Sequence, residues 1–255
     1  MDEGMNVARR RDWDYDALAA HYRLRAPYDA AALDAAVARS TPHAGAHCVD
    51  IGAGSGRLTA ELVVRGLRVT AVEPSAPMRA IGEREVPAAR WIGADAEHCG
   101  LDAGCCSVLA FGSSFNVMPA RSALDVAARL LRPRGALLVL WNHRDLDDPL
   151  QQRVQAAIER HVPGYAHGSR RDDPSATIEA DGRFGAVEHI VGRFMHRVRA
   201  DDFVDGFRAH ATLVRQAGAA MPAVLDAMHS ALAGHDAIDV PFTTRIWLAW
   251  RRESA

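Results

Sequence analysis

The first half of the chain alternates short apolar runs, rich in Val, Ile and Leu, with longer stretches whose apolar residues recur at helical spacing. The short runs predict five strands, over 48–51, 68–72, 90–93, 107–111 and 136–141. Two helices are predicted before the first strand, over 13–28 and 28–39, with Pro27 at the break between them. Strands that alternate with helices are typical of βαβ units, so the sequence predicts an α/β fold around a parallel sheet.

In the second part of the chain, strand and helix patterns no longer alternate regularly. Helical spacing recurs over 149–161, 201–216 and 221–233, and strand patterns occur over 187–198 and 242–250. These elements are too few to enclose a core of their own. We therefore expect them to extend the same sheet and residues 1–255 to form a single domain.

The amino-acid composition limits the classes of protein to which the chain can belong. Of the 255 residues, 49% are hydrophobic and 24% are charged, which favours a folded globular protein. No apolar run reaches the roughly 18 residues of a membrane span, and the chain starts with acids and arginines where a secretory signal needs apolar residues. The formal net charge of -2 gives no general attraction to nucleic acid. We therefore expect a cytoplasmic protein with neither a membrane nor a nucleic-acid partner.

Metal binding is not predicted. The four cysteines have no C-x-x-C spacing, which favours buried, reduced thiols over a zinc or dithiol site. Oxygen ligands do cluster over 142–148, but acidic residues at a helix start explain Asp147 and Asp148 equally well.

A glycine-rich segment, VDIGAGSGRLT at 49–59, follows the first strand and opens a helix. Its glycines, Gly52, Gly54 and Gly56, would let the backbone approach a ligand, and the helix N-terminus favours a negative group there. A dinucleotide-binding fingerprint requires its third glycine at the position of Arg57, and the phosphate loop of NTPases requires an ending that is missing. A tight turn without a ligand stays an alternative.

An acidic residue lies where a nucleoside ligand would need one. Glu73 follows Gly52 by about twenty residues and ends the second predicted strand. At this spacing a carboxylate can accept both hydroxyl hydrogens of a ribose. The alternative is a surface glutamate before the Pro74 turn.

Six segments together resemble the motifs of class I S-adenosylmethionine-dependent methyltransferases, in a small-molecule group similar to trans-aconitate methyltransferase. They are VDIGAGSG at 49–56, VEPSAPM at 72–78, WIGADAEHCGL at 91–101, SVLAFGSSFNV at 107–117, LRPRGALLVLWNHRD at 131–145 and VPFTTRIWLAWRR at 240–252. The resemblance implies a Rossmann-like, doubly wound, mostly parallel seven-stranded sheet with an antiparallel C-terminal strand. It also implies N-terminal cap helices over 1–40, a cofactor-binding core over 41–145 and substrate-side elements over 146–255.

The resemblance also assigns a binding site for S-adenosylmethionine. It places Glu73 on the ribose, Asp95 on the adenine amino group and Arg25 near the cofactor carboxylate. The implied cofactor contacts are Tyr22, Arg25, Asp50, Gly52, Gly54, Gly56, Glu73, Pro74, Met78, Asp95, Ala96 and Ser113. Several of these positions end separate predicted strands, the edge at which open α/β sheets bind ligands.

A methyl acceptor that must lose a proton needs a base with a pKa near neutral. His143, just after the fifth predicted strand, is the first candidate, and His210 is the second. A solvated loop histidine is the alternative for the first, and a core or surface role for the second. The predicted substrate contacts are Tyr15, Phe115, Trp141 and Phe207, although aromatic residues near strand ends are often core.

These residues predict methyl transfer to an oxygen or nitrogen of a small-molecule acceptor, by a monomer or homodimer. The fourth-strand loop reads FGSSFN and lacks the N-P-P-Y-type motif associated with methylation of nucleic-acid amines. An RNA methyltransferase and a nucleoside-binding protein without turnover stay as alternatives.

Overall fold

The computed structural model describes residues 15–40 and 43–253, apart from the side chains of residues 169 and 170. The part of the first predicted helix before Tyr15 lies outside the described residues. The strands are β1 (His47–Ile51), β2 (Arg68–Val72), β3 (Arg90–Ile92), β4 (Cys106–Gly112), β5 (Leu131–Arg144), β6 (Glu188–Arg199) and β7 (Ala237–Trp250).

The helices that the structure describes flank these strands. The α-helices are α1 (Tyr15–Leu18), α2 (Ala30–Ser40), α3 (Arg57–Val64), α4 (Ala76–Glu85), α5 (Ala120–Leu130), α6 (Pro149–His161), α7 (Ser175–Ala180), α8 (Ala200–Asp205), α9 (Ala211–Ala217) and α10 (Met221–Ala231). Short 3-10 turns extend several of them, including Ala19–Leu24 after α1 and Gly206–Ala209 after α8. None of the described helices is long and apolar enough to cross a membrane.

The strands form one seven-stranded sheet in the order β3-β2-β1-β4-β5-β7-β6. Strands β1 to β5 are parallel, whereas β7 runs antiparallel to both β5 and β6. The predicted doubly wound, mostly parallel fold with an antiparallel final strand is therefore confirmed.

Alternate residues of the strands pack on opposite faces of the sheet. In β5, Leu137 and Val139 join the core on the face covered by α5, whereas Leu138 and Leu140 join the core covered by α2 and α3. A third apolar cluster holds α6, α8, α9 and α10 against the ends of β6 and β7. This third cluster stands at one end of the sheet, next to the carboxyl ends of the parallel strands.

Two strands are longer than predicted. Strand β5 continues to Arg144 because it pairs with β7 as far as Phe242, and β7 begins at Ala237 because it pairs with Arg199 of β6. The polar residues at 142–144 and the proline Pro241 hide the strand pattern in the sequence, and pairing between distant segments stabilises both extensions. The extension carries His143 and Arg144 to the end of the sheet.

The prediction of one continuous helix over 201–216 is wrong. The backbone leaves the helix at His210, with φ -91° and ψ 83°, and α9 begins after it. The His210 side chain accepts a hydrogen bond from the Leu213 N–H at 3.3 Å, so this histidine caps α9.

Candidate active site

A cavity of about 820 Å³ opens at the carboxyl ends of β1 to β5. Its volume lies in the upper part of the range of about 300–1,000 Å³ that small-molecule sites occupy. The strand order divides its lining into two regions. We call the region at β1 to β4 and the following loops the acidic side, because Asp50, Glu73 and Asp95 line it. We call the region lined by the ends of β5, β6 and β7 and by residues 167–210 the basic side, because Arg144 and Arg171 line it.

The glycine turn after β1 forms the floor of the acidic side. Gly52, Gly54 and Gly56 have φ values of 64°, 57° and 86°, a region that side chains rarely adopt. A Cβ on Gly52 would lie 2.6 Å from Cβ of Ser114, so the absence of a side chain is also a packing requirement. The Gly52 N–H donates to the Val72 carbonyl at 2.9 Å, which ties the turn to the end of β2.

The Glu73 carboxylate is held by the turns on either side of it. Its Oε2 accepts from the Gly54 N–H and its Oε1 from the Ser75 N–H, both at 2.8 Å. Burial raises the pKa of this carboxyl, although the two backbone hydrogen bonds oppose the shift. The backbone therefore orients both oxygens before any ligand binds, and each retains a lone pair for a hydroxyl donor.

Asp50, in β1, is a fully buried carboxyl that lines the same side. Its Oδ2 accepts from the Thr59 hydroxyl at 2.7 Å, whereas its buried Oδ1 has no partner among the described residues. Burial raises the pKa of Asp50 to about 7, with a further contribution from the charge of Glu73. A positively charged ligand group would supply the missing partner and lower that pKa.

The ends of β2, β3 and β4 complete the acidic side. Pro74, Met78, Asp95, Ala96 and Ser113, which are among the predicted cofactor contacts, all line the cavity. Met78 is buried in a small cluster, whereas Asp95 is exposed at the cavity edge. Ser113 has a positive φ of 65° despite its side chain, and it follows the end of β4.

The N-terminal segment covers the cavity. Tyr15, Tyr22 and Arg25 line it, and the Arg25 guanidinium carbon lies 5.9 Å from the centre of the Tyr22 ring. The Ser75 hydroxyl donates to Asp16. This contact joins α1 to the loop after β2 and closes the acidic side from above.

The basic side contains the predicted base and one predicted aromatic contact. His143 is buried and lines the cavity from β5, and Phe207 and His210 line it from the segment after α8. The Phe207 and His210 rings stack at a centroid distance of 6.1 Å. His210 also caps α9, so its packing and capping roles are visible in the structure.

Three predicted contacts do not line the cavity. Gly56 caps α3, and a Cβ there would lie 3.1 Å from Val86 and 3.2 Å from Trp91, so it serves close packing between elements. Phe115 packs edge-on against Phe111 at 5.4 Å in the core. Trp141 packs against Trp247 at 4.6 Å in that core. For Phe115 and Trp141, the alternative of a core aromatic holds because their side chains join the face covered by α5.

Several lining residues escaped sequence reasoning. Tyr28, Asn142, Arg144, Arg171 and His196 all line the cavity. Asn142 and Arg144 flank His143. If the predicted fifth strand had ended at residue 144 instead of residue 141, the alternation of side chains along it would have indicated Arg144 as a lining residue. The other three come from distant segments, and no local motif marks them.

The acidic side fits an adenosyl amino acid. Its residues offer an oriented carboxylate for a ribose, a buried carboxyl oxygen without a partner for an ammonium group, and a turn without side chains for close backbone contact. Glu73, Asp50 and Gly54 would hold these three parts, with Arg25 close enough to the cavity to receive a carboxylate.

Comparisons with known proteins agree with this geometry. Residues 49–139 match the family described as methyltransferase domain. Over 129 residues the chain is 33% identical to an uncharacterized methyltransferase of Mycobacterium bovis, over 51% of each chain, so the chain spans about half the length of the curated relatives it matches.

Solved structures share the fold. The chain resembles a protein from Anaeromyxobacter dehalogenans described as a type II methyltransferase, with a TM-score of 0.57 and 18% identity over 90% of this chain and 98% of that one. It also resembles the YcgJ protein of Bacillus subtilis, with a TM-score of 0.56 and 13% identity over 88% of this chain and 99% of that one.

These matches confirm the predicted enzyme class at the level of the domain. Residues 49–139 match a methyltransferase domain, and S-adenosylmethionine is the cofactor of class I methyltransferases. The similarity to trans-aconitate methyltransferase stays a prediction.

Proposed function

We propose that this protein transfers a methyl group from S-adenosylmethionine to an oxygen or nitrogen atom of a small metabolite. The observation that carries the proposal is the continuity of one cavity across the two sides. The acidic side fits the cofactor, and the basic side provides an enclosed region with a buried histidine for the acceptor.

The acidic side would position the cofactor through several groups, of which the backbone already orients Glu73. Glu73 would bind the ribose hydroxyls, and Asp50 and Arg25 would bind the ammonium and carboxylate of the methionyl part. Asp95 and Ala96 would contact the adenine, with Met78 packed beside it. Because Glu73 and Asp50 are held by hydrogen bonds before binding, ordering these two groups costs the cofactor little entropy.

When bound, S-adenosylmethionine supplies a methyl group on a positively charged sulfur. The chain's own task is to hold the acceptor in line and to exclude water. His143 lies where it could take the proton from a hydroxyl or ammonium acceptor. An acceptor that reacts as an anion would need no base.

The function is tested with methyl-labelled S-adenosylmethionine and two separate acceptor pools, a deproteinised metabolite fraction and total RNA. Label is expected in a small molecule and not in RNA. Calorimetry in parallel should show binding of S-adenosylhomocysteine and not of NAD.

Each other outcome contradicts the proposal in a different way. Label in RNA would identify an RNA methyltransferase, and cofactor binding without transfer to either pool would favour a nucleoside-binding protein. Binding of NAD alone would overturn the cofactor assignment.

A further inference from the structure

The charges that line the cavity are unevenly distributed. Every carboxylate in the described lining belongs to α1 or to the acidic side: Asp16, Asp50, Glu73 and Asp95. The described lining of the basic side holds no carboxylate, but it holds Arg144 and Arg171 and several histidines. Arg25, from the N-terminal segment, and Arg57, from the start of α3, also line the cavity. The carboxylates are thus confined to one part of the described lining, whereas the described lining of the basic side offers only cations and neutral groups to a ligand.

Arg144 is a partly buried cation that lies beside aromatic side chains of the basic side. Its guanidinium donates to Oε1 of Gln151 at 2.6 Å, and its Cζ lies 4.8 Å from the centre of the Phe207 ring and 6.0 Å from that of Phe203. Among the described residues, no carboxylate forms an ion pair with it. Burial lowers the pKa of Arg144 to about 10, so it remains charged at neutral pH.

The groups around Arg144 do not neutralise it. Arg171 donates from its guanidinium to the Arg144 carbonyl at 3.0 Å and adds a second positive charge. The pKa of His167 is lowered by burial and by the charges of Arg171 and Arg144. Neutral His167 is therefore favoured. Tyr165 and Arg25 are further titratable neighbours of Arg144, and Arg25 adds positive charge.

An enclosed cation without an anionic partner is costly, because burial removes its hydration. A bound oxyanion would remove that cost, since a guanidinium matches the geometry of a carboxylate or phosphate with two parallel hydrogen bonds. The free donors of Arg144 next to the cavity thus favour a ligand of negative charge.

The walls around Arg144 define the rest of the ligand. Phe203, Phe207, Phe242 and Val198 line the same side and present apolar surface. A ligand made only of charged groups would leave these side chains without contacts. The walls therefore favour an acceptor with an apolar or aromatic body.

We propose that the methyl acceptor is a small molecule in which an apolar body carries an oxyanion, and that Arg144 binds that oxyanion with support from Arg171. This inference rests on the proposed function, because it concerns the acceptor of the same reaction. The oxyanion serves as the recognition group, whichever atom receives the methyl group.

The test measures binding to protein saturated with S-adenosylhomocysteine. Calorimetry compares charged probes with neutral counterparts: 4-hydroxybenzoate with 4-hydroxybenzamide, 4-hydroxycinnamate with its amide, and phenyl phosphate with phenol. We expect at least one charged probe to bind ten times more tightly than its counterpart or better. Arg144→Gln should abolish that preference and leave the affinity of the neutral probe within about threefold.

Two further variants serve as controls for the binding test. Arg144→Lys keeps the charge but loses the paired donors, so it should retain part of the preference even if Arg144→Gln does not fold. The control is Arg197→Gln on β6. It removes an exposed ion pair with Asp239 of β7 and should keep the full preference.

Three results would overturn the inference: no binding of any charged probe, equal binding of charged and neutral probes by the wild-type protein, or an intact preference in both Arg144 variants. Failure of S-adenosylhomocysteine to bind the wild-type protein would instead contradict the proposed function. The two failures are therefore distinguishable.

Discussion

The acidic and basic sides of the cavity are built in different ways. On the acidic side, Asp50, Glu73 and Asp95 lie in or shortly after parallel strands, and contacts within neighbouring βα units orient two of them: Gly54 and Ser75 hold Glu73, and Thr59 holds Asp50. On the basic side, the groups come from β5, β6, β7 and the segment 167–210, and side chains orient one another. The acidic side is thus a product of local chain geometry, and the basic side is a product of tertiary packing.

This difference indicates which side of the cavity can change its ligand specificity more easily. A cofactor site made of backbone turns constrains the sequence tightly, whereas an acceptor site made of side chains on separate elements can vary without disturbing the sheet. Variants in the two sides should therefore fail in different measurements.

The largest expected effect is on turnover, from the basic side. His143→Gln should reduce label transfer by about 100-fold to 10,000-fold if His143 accepts the acceptor's proton, with cofactor affinity unchanged. The exposed histidine His235 provides the control, and His235→Gln should keep full activity. Unchanged turnover of His143→Gln across the pH range would show that the acceptor needs no base.

The next effect is on stability, within the glycine turn. Gly52→Ala should lower the free energy of unfolding by about 2–4 kcal/mol, since a positive φ and a contact with Ser114 both oppose the new Cβ. Gly54→Ala shares the positive φ, but its Cβ would meet only Tyr22, at 3.9 Å. It should cost about 1–2 kcal/mol in urea unfolding. Equal losses would show that the packing against Ser114 does not matter.

A smaller effect concerns the ribose contact. Glu73→Ala should weaken S-adenosylhomocysteine binding by more than about tenfold, because it removes charged hydrogen bonds worth roughly 1.5–3 kcal/mol. Glu85→Ala, at an exposed position of α4, is the matched control and should bind normally. Calorimetry that finds unchanged affinity for Glu73→Ala would remove this residue from the site.

A further effect concerns the proton held by Asp50. The folded-state pKa of Asp50 is raised from 3.8 to about 7, so between these values the folded chain holds a proton that the unfolded chain has lost. Raising the pH across this window therefore reduces stability, and Asp50→Asn should flatten that slope in urea unfolding.

Ligand binding should couple to the same carboxyl. The ammonium of S-adenosylhomocysteine would favour ionised Asp50, so at about pH 6 binding should release up to one proton. Calorimetry in buffers of different ionisation enthalpy measures that release. Its persistence in Asp50→Asn would assign the proton to another group.

The sequence was sufficient for the parts of the fold and site that depend on local pattern. Strand β2 and helix α6 have the predicted bounds. The glycine turn and Glu73 follow from spacing along one βα unit. Each of these features is decided by neighbouring residues, so a single stretch of chain contains the information.

The remaining parts depend on partners far along the chain. Trp141 lies in the core because alternation along β5 directs it toward Trp247 of β7, a pairing that its own neighbours do not reveal. The break at His210 arises where α8 and α9 pack separately into the third cluster. The difference in charge between the two sides of the cavity, with Arg144 on the basic side, arises only when these elements pack together.

One small network links the beginning of the fold to its last strand. The Asn142 amide donates to the Pro27 carbonyl, the Thr244 hydroxyl donates to Asn142 at 2.5 Å, and the Asp29 N–H donates to that hydroxyl at 2.8 Å. During synthesis, residue 244 emerges long after the segment that it fastens. A nascent chain that has completed β1 to β5 therefore still lacks the anchor for Tyr22 and Arg25, and the N-terminal segment over the acidic side is fastened only after β7 has been synthesised.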